Sequence, residues 1–189
     1  MPGELVGVKL SGCTLDIVEI AAQRGRSRDL ESIASGRSLT LPQFGRLVAA
    51  DNQLALCVRC ERWLLLAAPA PAAVSAALWH DACAGAGIAV DLSSGLVAFH
   101  LAGPAAREVL ARSCRLDIDP VAFPVGHAAA TILAQVSAIL AALPSGLLLL
   151  TPATTARHFR EWLTTTAKPF GLRPQSNLTI ADLLGSKGA

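Results

Sequence analysis

The sequence is short of charged and aromatic side chains. Lys, Arg, Asp and Glu make up 16% of its 189 residues, whereas an average soluble domain carries about 25%. Aromatic residues account for 4%, with no Tyr at all, so few rings are available to stack on nucleic-acid bases. The formal net charge is only +2, which disfavours binding driven by phosphate neutralisation. Hydrophobic residues reach 52%, which excludes an intrinsically disordered chain.

The shortage of charge is most pronounced between Asp119 and Arg157, where no Asp, Glu, Lys or Arg occurs. A membrane-spanning helix needs about 20 mostly apolar residues, so a small membrane-associated protein built on residues 119–157 is one interpretation. Pro144, Ser145 and Gly146 divide this stretch, however, and favour a hairpin turn between two buried strands. We therefore expect no membrane span, and we predict that other protein chains cover the apolar surface.

Cysteine usage indicates a reducing compartment. The chain has five Cys, an odd number, and its first residues lack the basic and apolar regions of a secretory signal, so we expect a cytoplasmic protein. Cys57 and Cys60 form a Cys-x-x-Cys pair, which could be half of a zinc site or a redox pair. No second pair accompanies them, and a strand here would turn the two thiols to opposite sides. We predict a structural role for both.

The order of the predicted elements favours an α+β fold. Apolar alternation and turn residues predict strands at 14–22, 54–59, 63–68, 88–101, 131–136, 138–143 and 147–150, and helices at 29–35, 72–84, 105–114 and 153–168. Residues 93–95 would break or bulge the long strand. The order is a doubled β-α-β-β-α-β pattern, which predicts two antiparallel sheets with covering helices.

This pattern divides the chain into two units and two tails. The predicted division is an N-terminal tail at 1–13, a first α+β unit at 14–101, a second unit at 102–171 that shares the long strand 88–101, and a C-terminal tail at 172–189. Within the first unit, Val74, Ala77 and Leu78 form the predicted buried stripe of a helix. In the last long helix, Phe159 and Trp162 form an aromatic face beside Leu163.

Residues with catalytic potential are scattered along the chain. The four His residues are widely separated, and none has a metal-ligand residue two or four positions after it: His80, His100, His127 and His158. Asp117 and Asp119 could form a carboxylate pair, although a capping or turn role is favoured. The three Trp residues are interpreted as core or interface anchors. We assign no catalytic, cofactor-binding or metal-binding residue, and we expect a non-catalytic module.

Five short motifs carry a family resemblance. Leu-Ala-Gly-Pro-Ala-Ala-Arg at 101–107 is followed by Ser-Cys-Arg-Leu-Asp at 113–117 and by Pro-Val-Ala-Phe-Pro at 120–124. Glu-Arg-Trp-Leu-Leu at 61–65 and Phe-Arg-Glu-Trp-Leu at 159–163 lie on either side of them. Together these motifs resemble the gamma subunit of heterotetrameric sarcosine oxidase and of related N-methyl amino-acid oxidase and dehydrogenase complexes.

The resemblance, which covers residues 54–171, implies a fold similar to the folate-binding domain of glycine-cleavage T-proteins. It also implies three partners: an alpha subunit with NAD and a tetrahydrofolate site, a beta subunit with FAD and FMN, and a small delta subunit with zinc. The complex would remove the N-methyl group of sarcosine or a related N-methyl amino acid. This chain would hold none of these cofactors and would support the assembly and stability of the heterotetramer.

A second interpretation is a stand-alone tetrahydrofolate-binding, one-carbon protein of the same fold. The resemblance implies that such relatives hold the pterin with an acidic residue. Binding of tetrahydrofolate by the isolated chain would favour this interpretation over the subunit.

Overall fold

The structure, a computed structural model, describes residues 7–50, 52–69 and 76–185. The strands in these ranges are β1 (Val8–Cys13), β2 (Asp16–Ala22), β3 (Arg46–Ala50), β4 (Gln53–Arg59), β5 (Arg62–Ala67), β6 (Gly87–Asp91), β7 (Leu96–Ala102), β8 (Ala128–Leu133), β9 (Val136–Leu143), β10 (Gly146–Pro152) and β11 (Leu172–Pro174). The helices are α1 (Ser27–Ser35), α2 (Ala76–Ala82), α3 (Ala106–Ala111), α4 (Ala156–Ala167) and α5 (Ile180–Leu184).

Two sheets organise the described chain. A six-stranded sheet has the order β11-β1-β7-β10-β9-β8, and a five-stranded sheet has the order β3-β4-β5-β2-β6. Neighbouring strands are antiparallel except for β1 and β11, which are parallel. The runs β3-β4-β5-β2 and β8-β9-β10-β7 correspond, because each is built by one strand, one helix and three further strands. The predicted doubled α+β architecture with two sheets is confirmed.

The buried core has three parts, which lie between four layers. In order, the layers are the helices α1 and α2, the five-stranded sheet, the six-stranded sheet, and the helices α3 and α4. Leu54, Leu56 and Leu66 of the five-stranded sheet pack with Leu148 and Leu150 of the six-stranded sheet. The outer face of the six-stranded sheet packs against α3 and α4, and the outer face of the five-stranded sheet packs against α1 and α2. Central strands such as β5 and β10 are therefore buried on both faces, which requires nearly continuous apolar sequence.

The predicted break at residues 93–95 is confirmed, but residues 88–101 form two strands in different sheets and not one long strand. β6 pairs with β2 in the five-stranded sheet, whereas β7 lies between β1 and β10 in the six-stranded sheet. The Ser93 hydroxyl accepts a hydrogen bond from Ile17 N at 3.0 Å, and Asp91 Oδ1 accepts one from Ser93 N at 2.9 Å. These bonds stabilise a turn at which the chain crosses from one sheet to the other. The local alternation of apolar residues does not distinguish such a crossing from a bulge within one strand.

Two further strand predictions need correction. Residues 131–136 contain a hairpin turn at Ala134 and Gln135, whose φ angles of 50° and 65° are those of a type I′ turn. β3 occupies residues that carry no clear strand pattern. It pairs with β4 on one side, and Arg46 forms an isolated bridge to His127 on the other. The predicted turn at Pro144–Gly146 does connect β9 to β10.

Both segments predicted to be tails contribute to the six-stranded sheet. β1 pairs with β7 and with β11, so residues of the predicted N-terminal and C-terminal tails lie side by side. α5 begins with a capping box in which Thr179 and Asp182 bond each other's backbone. Residues 1–6 and 186–189 lie outside the described residues. The division of the chain into units at residue 101 stays a prediction.

The prediction that Leu78 belongs to the buried stripe of the second helix is wrong. Leu78 is 44% exposed, and it is Trp79, at 2% exposure, that packs beneath α2 with Cys83. The four-residue spacing of Trp79 and Cys83 turns Leu78 away from the sheet. Val74 lies outside the described residues. None of the helices in the described ranges has the length and hydropathy needed to cross a membrane.

Candidate functional site

The four histidines do not converge on a common site. His80 on α2 and His158 on α4 are exposed, whereas His100 on β7 is buried. His127 precedes β8, and its Nδ1 lies 3.0 Å from Arg46 Nη1. No group of three or more His, Cys, Asp or Glu side chains in the described chain could hold a metal ion.

His100 belongs to a structural hydrogen-bond chain. Its Nε2 lies 3.2 Å from the hydroxyl of Ser145, which donates to Leu183 O at 2.7 Å. Burial lowers the pKa of His100 from 6.5 to about 4, so the ring is neutral at neutral pH. This chain of hydrogen bonds connects β7, the β9–β10 turn and α5, so His100 has a structural role.

Asp117 and Asp119 act as turn residues. Asp117 Oδ1 accepts from Asp119 N at 3.0 Å, and Asp119 Oδ1 accepts from Val121 N at 2.8 Å. Each carboxylate thus holds the backbone two residues ahead of it, as Asx turns do. The favoured capping or turn role is confirmed.

The Cys-x-x-Cys pair is divided between core and surface. Cys57 on β4 is 2% exposed, and Cys60 lies exposed in the turn to β5. Burial is the main cause of the raised pKa of Cys57, and the neighbouring Cys60 adds to it. Cys60 lies in the turn and not on a strand, so the predicted strand alternation does not apply to its thiol. Because Cys57 is buried, this pair does not present two accessible thiolates to a metal or a substrate.

Trp63 and Trp79 are buried in the core, whereas Trp162 lies at its edge. Trp63 is buried, and its Nε1 donates to Pro42 O at 2.8 Å. Trp79 is buried beneath the guanidinium of Arg37, 5.4 Å from the ring centroid. Trp162 is half-buried and stacks on Phe159 at 6.0 Å. The predicted aromatic face of the last long helix is therefore confirmed.

A groove of about 540 Å³ runs beside α4, and we call it the α4 groove. Its floor is formed by β1 and β7, one wall by α4, and the other wall by the segment after β11. Gly12 opens the floor, since a Cβ at this position would lie 2.6 Å from Asn177 Oδ1. The volume is within the range of small-molecule sites.

The polar groups of the α4 groove are cationic or neutral. Arg157 and Arg160 project from α4, and Arg157 Nε forms an ion pair with Glu161 Oε1 at 3.1 Å. No Asp or Glu is among the described residues that line the groove. The α4 groove therefore does not supply the acidic residue that pterin binding is expected to need.

A second surface lies where the two sheets meet at their edges, and we call it the β3–β8 seam: Phe44, Arg46, Val121, Val125 and His127. Ala128 N donates to Gly45 O and Leu47 N donates to Gly126 O, both at 3.0 Å. Arg46 and His127 form an isolated antiparallel bridge between the two segments. The apolar members of the seam are exposed by 65%, 90% and 55%, in the order Phe44, Val121, Val125.

Sequence reasoning missed both surfaces. The segment around Phe44 reads only as irregular chain, and the residues that line the α4 groove come from four separated elements. An unusual signal does exist at the seam, since large apolar residues stand beside Gly45 and Gly126 in stretches without strand alternation. Their exposure depends on how the two sheet edges meet, which local sequence does not specify.

The geometry defines a class of protein: a two-sheet α+β domain whose described part presents binding surfaces and leaves its titratable residues dispersed. Comparison with known proteins identifies the family. The family model described as "Sarcosine oxidase, gamma subunit family" matches residues 31–167. The chain belongs to this family, as the sequence motifs predicted.

Individual relatives agree with this assignment. Over 54 residues the chain is 44% identical to the sarcosine oxidase subunit gamma of Arthrobacter sp, an alignment that spans 29% of this chain and 27% of that one. A chain of the heterotetrameric sarcosine oxidase from Corynebacterium sp. U-96, in complex with pyrrole 2-carboxylate, matches with a TM-score of 0.74 and 25% identity. That match covers 86% of this chain and 85% of the other.

The predicted resemblance to T-proteins is confirmed at the level of the fold. The glycine cleavage system aminomethyltransferase T from Bartonella henselae matches with a TM-score of 0.62 and 15% identity. The match covers 88% of this chain but only 47% of that protein. The chain thus has the fold of about half of such an enzyme.

Proposed function

We propose that this chain is the non-catalytic gamma-type subunit of a sarcosine oxidase-like, flavin-dependent heterotetramer. The observation that carries the proposal is the likeness over nearly the whole chain to a component of a heterotetrameric sarcosine oxidase, together with membership of the gamma family. The complex would oxidatively remove the N-methyl group of sarcosine or a related N-methyl amino acid in the cytoplasm. Its alpha, beta and delta subunits would carry FAD, FMN, NAD, tetrahydrofolate and zinc.

The role of this chain in the complex is assembly and stability. Three features support that role: His100 is neutral and packed, Asp117 and Asp119 form turns, and Cys57 is buried in the core. Two surfaces, the α4 groove and the β3–β8 seam, are open to other molecules.

Co-expression tests the proposal. The tagged chain is produced together with alpha-, beta- and delta-type subunits of a sarcosine oxidase-like complex, and the purified material is measured for flavin absorbance and mass. We expect a flavin-containing complex that includes this chain. The same complex produced without this chain should assemble in lower yield and melt at a lower temperature. A chain that stays colourless and monomeric with all three partners present would contradict the proposal.

The stand-alone folate interpretation is separated by a titration. Tetrahydrofolate is added to the isolated chain and binding is followed by calorimetry, with Arg160→Ala as the matched variant in the α4 groove. Because that groove lacks a lining carboxylate among the described residues, we expect no micromolar binding. Micromolar binding that Arg160→Ala weakens would favour the folate protein instead.

A further inference from the structure

We propose that the β3–β8 seam is the surface on which another subunit of the complex docks, and that this subunit places an Asp or Glu carboxylate on Arg46. The inference rests on the proposed function, because it names where the partner binds. It is carried by the exposure, rigidity and charge of the seam.

The exposed apolar residues of the seam are unusual for a surface in water. Phe44 is 65% exposed and Val121 is 90% exposed. Contiguous exposed apolar patches rimmed by polar groups mark interaction sites, and aromatic residues and Arg are enriched in interface centres. The edge strand β6 also exposes Ile88 and Val90, by 51% and 43%, but it lacks the aromatic and the cation.

The backbone beneath the seam is held from both sides. Gly45 N donates to Cys57 O at 2.8 Å, which fixes one segment to the five-stranded sheet. Gly126 N donates to Ala142 O at 2.9 Å, which fixes the other segment to the six-stranded sheet. The ring of His127 lies 5.9 Å from the buried ring of Phe123. A partner would therefore bind a pre-organised surface, at a low cost in conformational entropy.

The charge of the seam specifies the chemistry of the partner. Arg46 contacts the imidazole of His127, and no carboxylate in the described chain forms an ion pair with it. Asp119 is the acidic residue nearest in sequence to Val121, and its Oδ1 accepts from Val121 N. A guanidinium that no carboxylate of the described chain neutralises, on a surface that also exposes apolar residues, is matched by a carboxylate, with which it forms charge-assisted hydrogen bonds.

The same charge argues against a second copy of this chain as the occupant. A two-fold interface brings the same patch of both copies together. Both Arg46 guanidiniums would then lie in one interface with no Asp or Glu of the seam to neutralise them, and like charges placed together are unfavourable. A different subunit that carries Asp or Glu avoids this repulsion.

Substitutions at the seam test the inference. The complex is assembled without this chain, and its affinity for the purified chain is measured by surface plasmon resonance at low and high salt. We expect Arg46→Glu to weaken binding by roughly 100-fold and Phe44→Ala by roughly 10- to 100-fold. Arg46→Lys, which keeps the charge, should weaken binding less and retain the salt dependence.

A matched control lies on the other sheet edge. Ile88→Glu introduces the same acidic side chain at another exposed residue, and it should bind like the wild type. Melting temperatures of all variants should stay close to the wild type, since these side chains are exposed. Wild-type affinity in Arg46→Glu and Phe44→Ala, or self-association of the free chain through the seam, would overturn the inference. A wild-type chain that binds no partner at all would instead defeat the proposed function.

Discussion

His100 Nε2 and Ser145 Oγ lie 3.2 Å apart, in a hydrogen bond that fixes the tautomer of the histidine. Ser145 has a single hydroxyl proton, which it donates to Leu183 O at 2.7 Å. The proton between Ser145 and His100 must therefore come from Nε2, and the imidazole is the donor. The turn between β9 and β10 thereby joins β7 to α5.

The protein should lose stability in mild acid because of His100. Burial lowers the pKa of this ring from 6.5 to about 4 in the folded state. The unfolded chain binds a proton below about pH 6.5, whereas the folded chain resists protonation until about pH 4. The stability contributed by the neutral ring is therefore complete above pH 6.5 and declines by up to about 3 kcal/mol as the pH falls towards 4.

Urea unfolding at a series of pH values checks this prediction. His100→Gln keeps a side-chain donor but does not titrate, so its stability should change less between pH 6.5 and 4. Equal pH dependence in the wild type and the variant would contradict the assignment to His100.

Gly146 should not tolerate a side chain. Its φ angle is +145°, and an added Cβ would lie 2.6 Å from Leu101 O and 2.8 Å from His100 Nε2. Gly146→Ala should therefore cost roughly 2–4 kcal/mol in unfolding free energy. Gly85→Ala is the matched control: its φ is also positive, but nothing lies within 4 Å. That control should cost about 1 kcal/mol, as measured by thermal melts, and equal losses at both positions would rule out the steric explanation.

Phe159 and Trp162 stack on each other but should differ in their contribution to stability. Phe159 is fully buried and also contacts Phe99, with ring centroids 5.9 Å apart. Phe159→Ala should cost about 3–5 kcal/mol. Trp162 is half-buried, so Trp162→Ala should cost less, roughly 1–3 kcal/mol. Denaturant melts of both variants compare them, and a larger loss at Trp162 would contradict this ranking.

Cys60 should react with alkylating reagents faster than Cys57. Cys60 is exposed, whereas burial encloses Cys57 and raises the pKa of its thiol. The thiolate is the reactive species, so a raised pKa slows alkylation. Mass spectrometry after a short iodoacetamide pulse should find Cys60 modified first, and Cys60→Ser should remove the fast phase. A disulfide between Cys57 and Cys60, or rapid labelling of Cys57, would contradict their placement.

Much of the fold was predictable because its signals are local. Pro144–Gly146 mark a turn in any apolar context, and β9 and β10 form on either side of it. The spacing of Phe159 and Leu163 places both on the buried face of α4. The motifs between residues 54 and 171 likewise indicate the family through short runs of neighbouring residues.

The surfaces could not be predicted in this way. Residues that line the α4 groove include Gly12, Phe99, Arg160 and Asn177, which tertiary contacts alone bring together. The seam likewise depends on Arg46 and His127, which are paired across the edges of two sheets. No periodicity within either segment reports that pairing.

By itself the sequence determined the α+β class, the doubled element order and the family. The shortage of charge, which first indicated a covering partner, has a further cause that only the tertiary structure decided. Strands such as β5 and β10 are enclosed between a sheet and helices, so both faces of each strand must be apolar. Tertiary structure also decided that the chain changes sheets near Ser93 and that β1 and β11 pair, because strand pairing joins residues that are distant in sequence.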